Sequence, residues 1–167
     1  MDPLNRAVLR VELKRDEGTK YRVYKCTEGF DTIGTGRNLD TVGLSVTECS
    51  VLGLTVRDVR IKGLTPAQSD YLLDNDIDRS IHDLDRYLPW WRQLDDVRQR
   101  VLVNMCFNMG IGNAKKGLLS FKNTLRLIQT GQYTAASKNM LLSKWARQVG
   151  KRANRLADLM ALGPRKL

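Results

Sequence analysis

Residues 65–89, TPAQSDYLLDNDIDRSIHDLDRYLP, constrain the fold most, because they contain the start, the period and the end of one long helix. Thr65, Pro66 and Gln68 provide an N-cap residue, a proline at the first helical position and the partner of a capping box. Apolar residues then recur at three- and four-residue intervals up to Pro89; they are Leu73, Ile77, Ile81, Leu84 and Leu88. This spacing predicts a long helix with one buried face.

The residues after Pro89 predict further helices. The same apolar pattern returns in Val97, Val101, Met105 and Cys106, and it stops at the glycines of NMGIGN. Helical patterns follow at residues 118–128 and 135–142, separated by TGQY. Together these patterns predict a compact, all-helical lobe over roughly the last hundred residues.

The first residues predict a short helix and then a small sheet. Leu4, Val8 and Val11 lie on one helical stripe that Leu13 extends, and Gly18 ends the pattern. The turn signal TEG then separates two groups of β-favouring residues, which are Tyr21 and Val23 before it and Phe30, Thr32 and Ile33 after it. Residues 44–64 have valines at both periods, so the pattern leaves their conformation open.

Composition narrows the class of protein. A chain of 167 residues is the size of one domain, and Lys plus Arg exceed Asp plus Glu by 28 to 18, which gives a net charge of +10. Such a charge favours a polyanionic partner, but the basic residues are dispersed and no zinc-finger spacing, arginine-rich arm or RNP motif is present. We therefore do not expect nucleic acid to be the partner.

Sequence signals for export and for metal binding are absent. No apolar run approaches the ~18 residues that a membrane span requires, and the first residues lack the apolar core of a signal peptide. We expect the chain to stay in the cytoplasm of the cell that makes it. Cys26, Cys49 and Cys106 lie far apart and are odd in number, so reduced thiols are expected rather than disulfides or a zinc site.

Few residues remain as candidates for chemistry. His82 is the only histidine, which excludes most histidine-based sites, and we interpret it as a solvent-facing helix residue. The glycines of TIGTG are not followed by a phosphate-binding motif. Glu17 stands where the first helix ends, and an acid in a partly desolvated gap can have a raised pKa that suits a general acid. A solvated surface charge is the alternative for Glu17.

The polar segment that follows carries a family resemblance. LKRDEG and YKCTEGFDTIGTGRNL resemble the signature of phage-type lysozymes, glycoside hydrolase family 24. In that family a Glu at a helix end is followed nine residues later by Asp or Cys and six residues after that by Thr; here these are Glu17, Cys26 and Thr32. Segments elsewhere also resemble the family, namely TPAQSDYLLDNDID, NMCFNMGIG, FKNTLRLI and SKWARQVGKRANRLADLM.

The resemblance implies a fold and a function. The fold would be α+β and predominantly helical, with a small β-hairpin lobe (17–64) and a larger helical lobe (1–16 plus 65–167). A long helix would join the lobes, with the active-site cleft between them. The function would be that of an endolysin, a muramidase that hydrolyses the β-1,4 bond between N-acetylmuramic acid and N-acetylglucosamine in peptidoglycan. A monomer without cofactor or metal would act on glycan strands after a holin releases it from the host cytoplasm.

The resemblance also implies roles for the three signature residues. Glu17 would protonate the glycosidic oxygen, and Thr32 would hold the attacking water or a ring substituent. Cys26 takes the place of a second carboxylate, so it is a base, a nucleophile or a small bystander. A free thiol with a pKa of about 8.5 is only a few per cent ionised at pH 7, and Lys25 together with the net positive charge would favour the thiolate. A protein that binds the wall without cleaving it, or a lytic transglycosylase, is the alternative.

Other positions carry over from the family one at a time. Arg152 would pair with Glu17 and orient it, and Arg37 would form a salt bridge with Asp76 across the lobes. Positions that match the sugar-binding cleft are Glu28, Asn38, Phe107, Thr124, Asn139 and Gln148. Trp90, Trp91 and Trp145 could stack on sugars, but we interpret them as core residues.

Overall fold

The computed structural model describes residues 3–165, and helices dominate it. The helices are α1 (Arg6–Glu17), α2 (Val46–Leu52), α3 (Val56–Lys62), α4 (Pro66–Tyr87), α5 (Asp96–Met109), α6 (Lys122–Gln129), α7 (Tyr133–Leu141), α8 (Lys144–Val149) and α9 (Lys151–Leu162). Short 3-10 helices lie at Pro89–Gln93 and Leu118–Ser120. The strands are β1 (Lys20–Lys25), β2 (Asp31–Gly34) and β3 (Arg37–Asn38). The α+β, predominantly helical fold class is confirmed, and no helix in this part of the chain is long and apolar enough to cross a bilayer.

The described residues form two compact units. The sheet unit is Arg10–Ile77, and the helical unit holds the described residues up to Leu9 and those from Asp78 onward. The unit boundaries therefore fall inside α1 and α4, whereas the sequence placed the lobe boundaries at residues 16 and 64. One reason lies in the sheet unit, where Arg10 pairs with Asp74 at 2.5 Å and Lys14 with Asp70 at 2.7 Å.

The start of α4 is set by local interactions, as the sequence predicted. The Gln68 N–H donates to the Thr65 hydroxyl at 3.2 Å, and the Thr65 N–H donates to the Gln68 side chain at 2.9 Å. This reciprocal pair satisfies two backbone donors that a helix start leaves without partners. The predicted apolar stripe is also present, because Leu73, Ile77 and Leu84 are fully buried.

The buried face of α1 differs from the predicted face. Val8 is 39% and Val11 68% exposed, whereas Leu9 and Leu13 are fully buried. Both stripes fit a spacing of three or four residues, so the spacing alone could not choose between them. The buried face also includes Glu12, which is only 8% exposed. Because Glu12 is charged, the pattern of apolar residues does not indicate this face.

The sheet is small and antiparallel, in the order β1-β2-β3. Tyr24 pairs with Thr32, and Thr32 pairs with Asn38 on the next strand. Residues 44–64, which the sequence left open, form α2 and α3, and each helix begins with a capping box, Ser45 with Glu48 and Thr55 with Asp58. The sheet unit has its own buried core, which contains Ile33, Leu39, Val59, Leu64 and Leu72.

A buried cation fixes the edge of the sheet. Arg37 is 3% exposed and donates from Nη1 and Nη2 to both carboxylate oxygens of Glu48, at 2.9 and 2.8 Å. It also donates from Nε and Nη2 to Asp76, at 3.0 and 2.9 Å. The predicted ion pair of Arg37 with Asp76 is present, and both residues belong to the sheet unit. Glu48, the closer partner, was missed.

The helical unit is organised around α5. The sequence predicted one buried face for this helix, but the residues from Arg98 to Cys106 are all buried. The polar members of this run are paired: for example, Arg98 donates to the carbonyl of Met160 at 2.7 Å and lies over the Tyr133 ring at 3.6 Å. Trp91 is fully buried and Trp145 is 7% exposed, which confirms the core interpretation for these two; Trp90 is half-buried.

We predict that Glu48 makes stability depend on pH. Burial opposes its ionisation, but hydrogen bonds from Arg37, Asn75 and Ser45 outweigh burial and lower its pKa from 4.5 to about 2. Because the folded-state pKa is the lower one, the stabilisation is complete above the ordinary pKa and is lost as pH falls toward 2. The difference corresponds to about 3 kcal/mol at neutral pH.

Urea unfolding of the wild type and of Glu48→Gln between pH 7 and pH 3 measures this effect. The variant should be less stable at pH 7, and the gap should narrow steadily below pH 4.5. Asp158→Asn, which removes an equal charge from an exposed position on α9, is the control and should show little change. A gap that stays constant across this pH range would contradict the prediction.

Candidate active site

Cys26 begins the turn between β1 and β2. Its N–H donates to the carbonyl of Phe30 at 3.0 Å, and the Gly29 N–H donates to its carbonyl at 2.9 Å. The thiol is free and half-buried. Cys49 and Cys106 are also free, as expected; Cys49 is half-buried and Cys106 is buried. The turn therefore holds the backbone of Cys26 on both sides.

Thr32 lies in the middle of β2, next to the thiol. It is 4% exposed, and its hydroxyl donates to the carbonyl of Phe30 at 3.0 Å. The hydroxyl also forms a side-chain hydrogen bond with Cys26. Since one hydroxyl has a single proton, it can donate to Phe30 or to a thiolate at Cys26, but not fully to both.

Hydrogen bonds in the turn favour the thiolate of Cys26. Burial works against the charged form, but the backbone N–H groups of Phe30 and Glu28 and the Thr32 hydroxyl outweigh it and lower the pKa of the thiol. Lys25, which the sequence was expected to place in support of the thiolate, forms an ion pair with Asp31 at 2.7 Å, and its effect on Cys26 stays a prediction. The groups that lower the pKa of the thiol are the hydrogen-bond donors of the turn.

Glu17 is the last residue of α1, and its carboxyl lies against Gly36 in the turn between β2 and β3. A Cβ atom at Gly36 would stand 3.1 Å from Oε2 and 3.3 Å from Cδ of Glu17. Gly36 also has φ +81°, a conformation that disfavours other residues. This glycine, which the sequence reasoning missed, leaves the room that the carboxyl of Glu17 occupies.

Tyr24 connects Glu17 and Cys26 electrostatically. Its pKa is raised by burial first, and then by the negative charges of Glu17 and Cys26. Tyr24 therefore lies within electrostatic range of both groups, and it is the register partner of Thr32. Sequence reasoning missed Tyr24, although counting back from the TEG turn would have placed it opposite Thr32.

The two predicted sugar-binding residues of the sheet unit, Glu28 and Asn38, differ in exposure. Glu28 is exposed in the hairpin turn. Asn38 is half-buried, and its side-chain oxygen accepts the N–H groups of Asp40 and Thr41, both at 2.9 Å. The carbonyl oxygen of the Asn38 side chain is therefore committed to the loop that follows β3.

The helical unit contains a cavity of about 780 Å³. Three predicted sugar-binding residues line it, Thr124, Asn139 and Gln148, and Phe107 does not. Thr124 is 2% exposed and donates to the side-chain oxygen of Asn139 at 2.5 Å. The other lining residues are Met109, Lys115, Lys116, Gly117, Ser120, Phe121, Lys122, Asn123, Leu142, Ser143, Lys144 and Trp145.

Arg152 belongs to the polar interior of the helical unit. It is 6% exposed, and its Nε and Nη2 donate to the side-chain oxygen of Asn104 at 3.0 and 2.8 Å. Its pairing with Glu17 stays a prediction. Within residues 3–165 no group of three or more His, Cys, Asp or Glu side chains is arranged to hold a metal ion.

Comparison with known proteins gives consistent matches. The model of the phage lysozyme family matches residues 14–160. The chain is similar to probable T4-type lysozyme 1 of Dictyostelium discoideum, with 30% identity over 90% of this chain and 92% of the relative. Probable T4-type lysozyme 2 of the same organism is 31% identical, over 95% and 96%. The pre-baseplate central spike protein Gp5 of Enterobacteria phage T4 is 28% identical over 90% of this chain, which is 27% of that protein.

We predict that Cys26 and Cys106 react very differently with an alkylating agent. Cys26 should be alkylated by iodoacetamide with a pH midpoint below that of the same cysteine in urea, because the turn lowers its pKa. Cys106 should stay unlabelled until the protein unfolds, because burial and then the charge of Asp83 raise its pKa to about 12. Peptide mapping by mass spectrometry measures each site separately. Equal midpoints for Cys26 in the folded and unfolded protein would refute the assigned hydrogen bonds.

Proposed function

Because the chain belongs to the phage lysozyme family, as a match over residues 14–160 shows, we propose that it is an endolysin. The family makes it a lysozyme-type hydrolase. The proposed reaction is cleavage of the β-1,4 bond between N-acetylmuramic acid and N-acetylglucosamine in peptidoglycan. Its proposed role is lysis of a bacterial host from within, after a holin opens the membrane.

One observation supports this proposal most: the carboxyl of Glu17 lies against Gly36, just after the strand that carries Thr32, and the N–H of Cys26 is bonded to Phe30, just before that strand. The pKa of Tyr24, the register partner of Thr32, is raised by burial and then by the charges of Glu17 and Cys26. The three signature residues therefore share one small region of the sheet unit. A glycosidase needs such a grouping, with an acid for the leaving oxygen and a second polar group for water or for the sugar.

Glu17 is the proposed general acid. Its carboxyl would give its proton to the glycosidic oxygen while the bond to the anomeric carbon breaks. Gly36 leaves space at the carboxyl and so permits this position. Arg152 is proposed to orient the acid.

Cys26 and Thr32 are proposed to handle the water. A thiolate at Cys26 would accept a proton from water as the water oxygen bonds to the anomeric carbon. The cycle would close when the Cys26 thiol releases this proton to solvent and the Glu17 carboxylate takes up one in its place. Thr32 would accept a hydrogen bond from this water while its own O–H donates to the carbonyl of Phe30. Attack by the thiolate itself, giving a covalent intermediate, is the other route for the same residue.

Six further residues are proposed to contact sugar. Glu28 and Asn38 would do so from the hairpin region, and Thr124, Asn139 and Gln148 from the cavity walls. Phe107 is kept as a proposed contact from α5. The protein is proposed to work as a monomer.

A second candidate function follows from the thiol itself. With a thiol where relatives have a carboxylate, the protein could bind the wall without cleaving it, or release an anhydro sugar as a lytic transglycosylase does. Mass spectrometry of the released fragments separates these outcomes, because hydrolysis gives reducing ends and a transglycosylase gives anhydro ends. Binding to sacculi without any released fragment identifies the binding protein.

We predict that Glu17→Gln abolishes clearing of outer-membrane-permeabilised bacteria, because the amide cannot supply the proton. Cys26→Ala should lower turnover by ~10²-fold or more, the usual contribution of a positioned base. Cys26→Asp should remain active, since a carboxylate can do the same work. Circular dichroism checks that each variant is folded. A folded Cys26→Ala protein with a near-normal rate would remove Cys26 from the mechanism.

A further variant tests the space at Gly36. Gly36→Ala should lower activity more than ~10-fold, because the methyl group would press on the Glu17 carboxyl and displace it. Gly53→Ala is the matched control, since Gly53 also has a positive φ, +65°, with nothing near its missing Cβ. Both variants should lose similar thermal stability, and only Gly36→Ala should lose activity. Equal activity losses would show that backbone strain alone is responsible.

A further inference from the structure

The cavity of the helical unit has a strongly one-sided charge. Of its fifteen lining residues four are lysines, Lys115, Lys116, Lys122 and Lys144, and none is Asp or Glu. None of these lysines forms an ion pair with any residue in the described part of the chain. Four like charges around one cavity repel each other, and an anion placed among them would relieve this repulsion.

The loop that carries two of the lysines is rigidly built. The Asn113 N–H donates to the carbonyl of Lys116 at 2.8 Å, and the Asn113 side chain accepts the N–H groups of Lys115 and Lys116 at 2.8 and 3.3 Å. A Cβ at Gly112 would stand 2.0 Å from the carbonyl oxygen of Lys116, so only glycine allows this closure. The backbone under both ammonium groups is thus fixed before a ligand arrives, which reduces the entropy lost on binding.

The position of Lys122 supports the same conclusion. It is the first residue of α6, where the helix dipole disfavours a cation. No acidic residue lies in the first turn of this helix to compensate. A lysine at this place lowers helix stability, and an anion bound beside it would offset that cost.

The remaining walls suit a sugar. Phe121 and Trp145 meet edge to face, with ring centroids 6.0 Å apart, and both rings line the cavity. The half-buried Phe121 ring can contact the apolar side of a pyranose, while the amide of Asn139, whose oxygen accepts from Thr124, offers N–H donors. The cavity therefore combines the features needed for a sugar and for an anion.

The type of cation favours phosphate over carboxylate. The lining contains no arginine, whose planar fork matches the two oxygens of a carboxylate. Ammonium groups are point charges, and several of them can surround the tetrahedral oxygens of one phosphate from different directions. We propose that this cavity binds a phosphate-bearing sugar, with Lys115 and Lys116 at the phosphate. Such units occur in wall polymers joined by phosphodiester bonds, and the inference rests on the proposed function for its sugar part.

Binding to the full chain tests the proposal. Calorimetric titrations at 50 mM and 150 mM salt compare N-acetylglucosamine 1-phosphate with neutral N-acetylglucosamine and with N-acetylmuramic acid, which carries a carboxylate. The phosphorylated sugar should bind the wild type more tightly than either of the others. Lys115→Gln with Lys116→Gln should weaken its binding about fivefold or more and leave the neutral sugar unchanged.

A matched double variant controls for net charge. Lys138→Gln with Lys151→Gln removes the same charge from two exposed lysines of the helical unit that do not line the cavity. It should change binding by less than about twofold. Equal weakening by both double variants, or equal binding of all three sugars by the wild type, would overturn the proposal, and so would tightest binding of N-acetylmuramic acid. The wild-type comparison keeps the test valid should a variant fail to fold.

The outcome is separable from that of the proposed hydrolysis. Glu17→Gln carries its change outside the cavity, so it should bind the phosphorylated sugar like the wild type while its lytic activity is lost. Loss of lysis in Glu17→Gln without any preference of the wild type for the phosphate would leave the hydrolase standing and remove the phosphate site. If the wild type prefers the phosphorylated sugar but hydrolyses no peptidoglycan, the phosphate site stands and the proposed hydrolase is ruled out.

Discussion

Arg37 is a buried cation that the sheet unit can hold only because two carboxylates reach it. Its guanidinium contacts Glu48 from α2 and Asp76 from α4, so one side chain connects two helices to the edge strand. Removing either partner would leave part of a buried charge uncompensated, which is far more destabilising than losing a surface pair. Arg37 is followed by Asn38, the register partner of Thr32. The position of Thr32 in the sheet therefore depends on this network.

In the hairpin the charged groups have different kinds of partner. Asp31 of the hairpin pairs with Lys25 and with Arg60 of α3, and Arg60 also reaches Asp40 at 2.8 Å. The thiol of Cys26 is left to the N–H dipoles of the turn and to the Thr32 hydroxyl. Dipoles fixed by the backbone act at short range and are less sensitive to salt than an exposed cation would be. The fold of the turn thus favours the thiolate through hydrogen-bond donors that the backbone fixes in place.

Features written locally in the sequence were predictable. The capping box of Thr65 and Gln68 involves residues three apart, and the TEG turn fixes which residues of β1 and β2 face each other. The identity of the partner of Arg37 was only half predictable. Asp76 came from family resemblance, whereas Glu48 lies in a segment whose valines fit two periods.

What could not be predicted depends on tertiary contacts. The face of α1 was chosen wrongly because Glu12 is buried, and no local pattern announces a buried acid. The buried arginines of α5 pose the same problem, since Arg98 is satisfied by a carbonyl 62 residues away. In the candidate site, Gly36 could not be predicted for the same reason. Its importance comes from the carboxyl of Glu17, a residue of another element that lies against it. From the sequence alone, a glycine in a turn is already explained by the turn.

The distribution of pairs says more about function than the net charge of +10 does. In the sheet unit Arg10, Lys14, Lys25 and Arg37 pair with acids, while the four cavity lysines of the helical unit meet none in the described chain. Part of the excess positive charge therefore lies around a cavity whose lining also suits a sugar. A thiol at position 26 fits the same picture, because a carboxylate there would be fully charged at neutral pH and a thiol is charged only in part. An anionic glycan would meet less repulsion at the hairpin, at the expense of a base that is only partly in its active form.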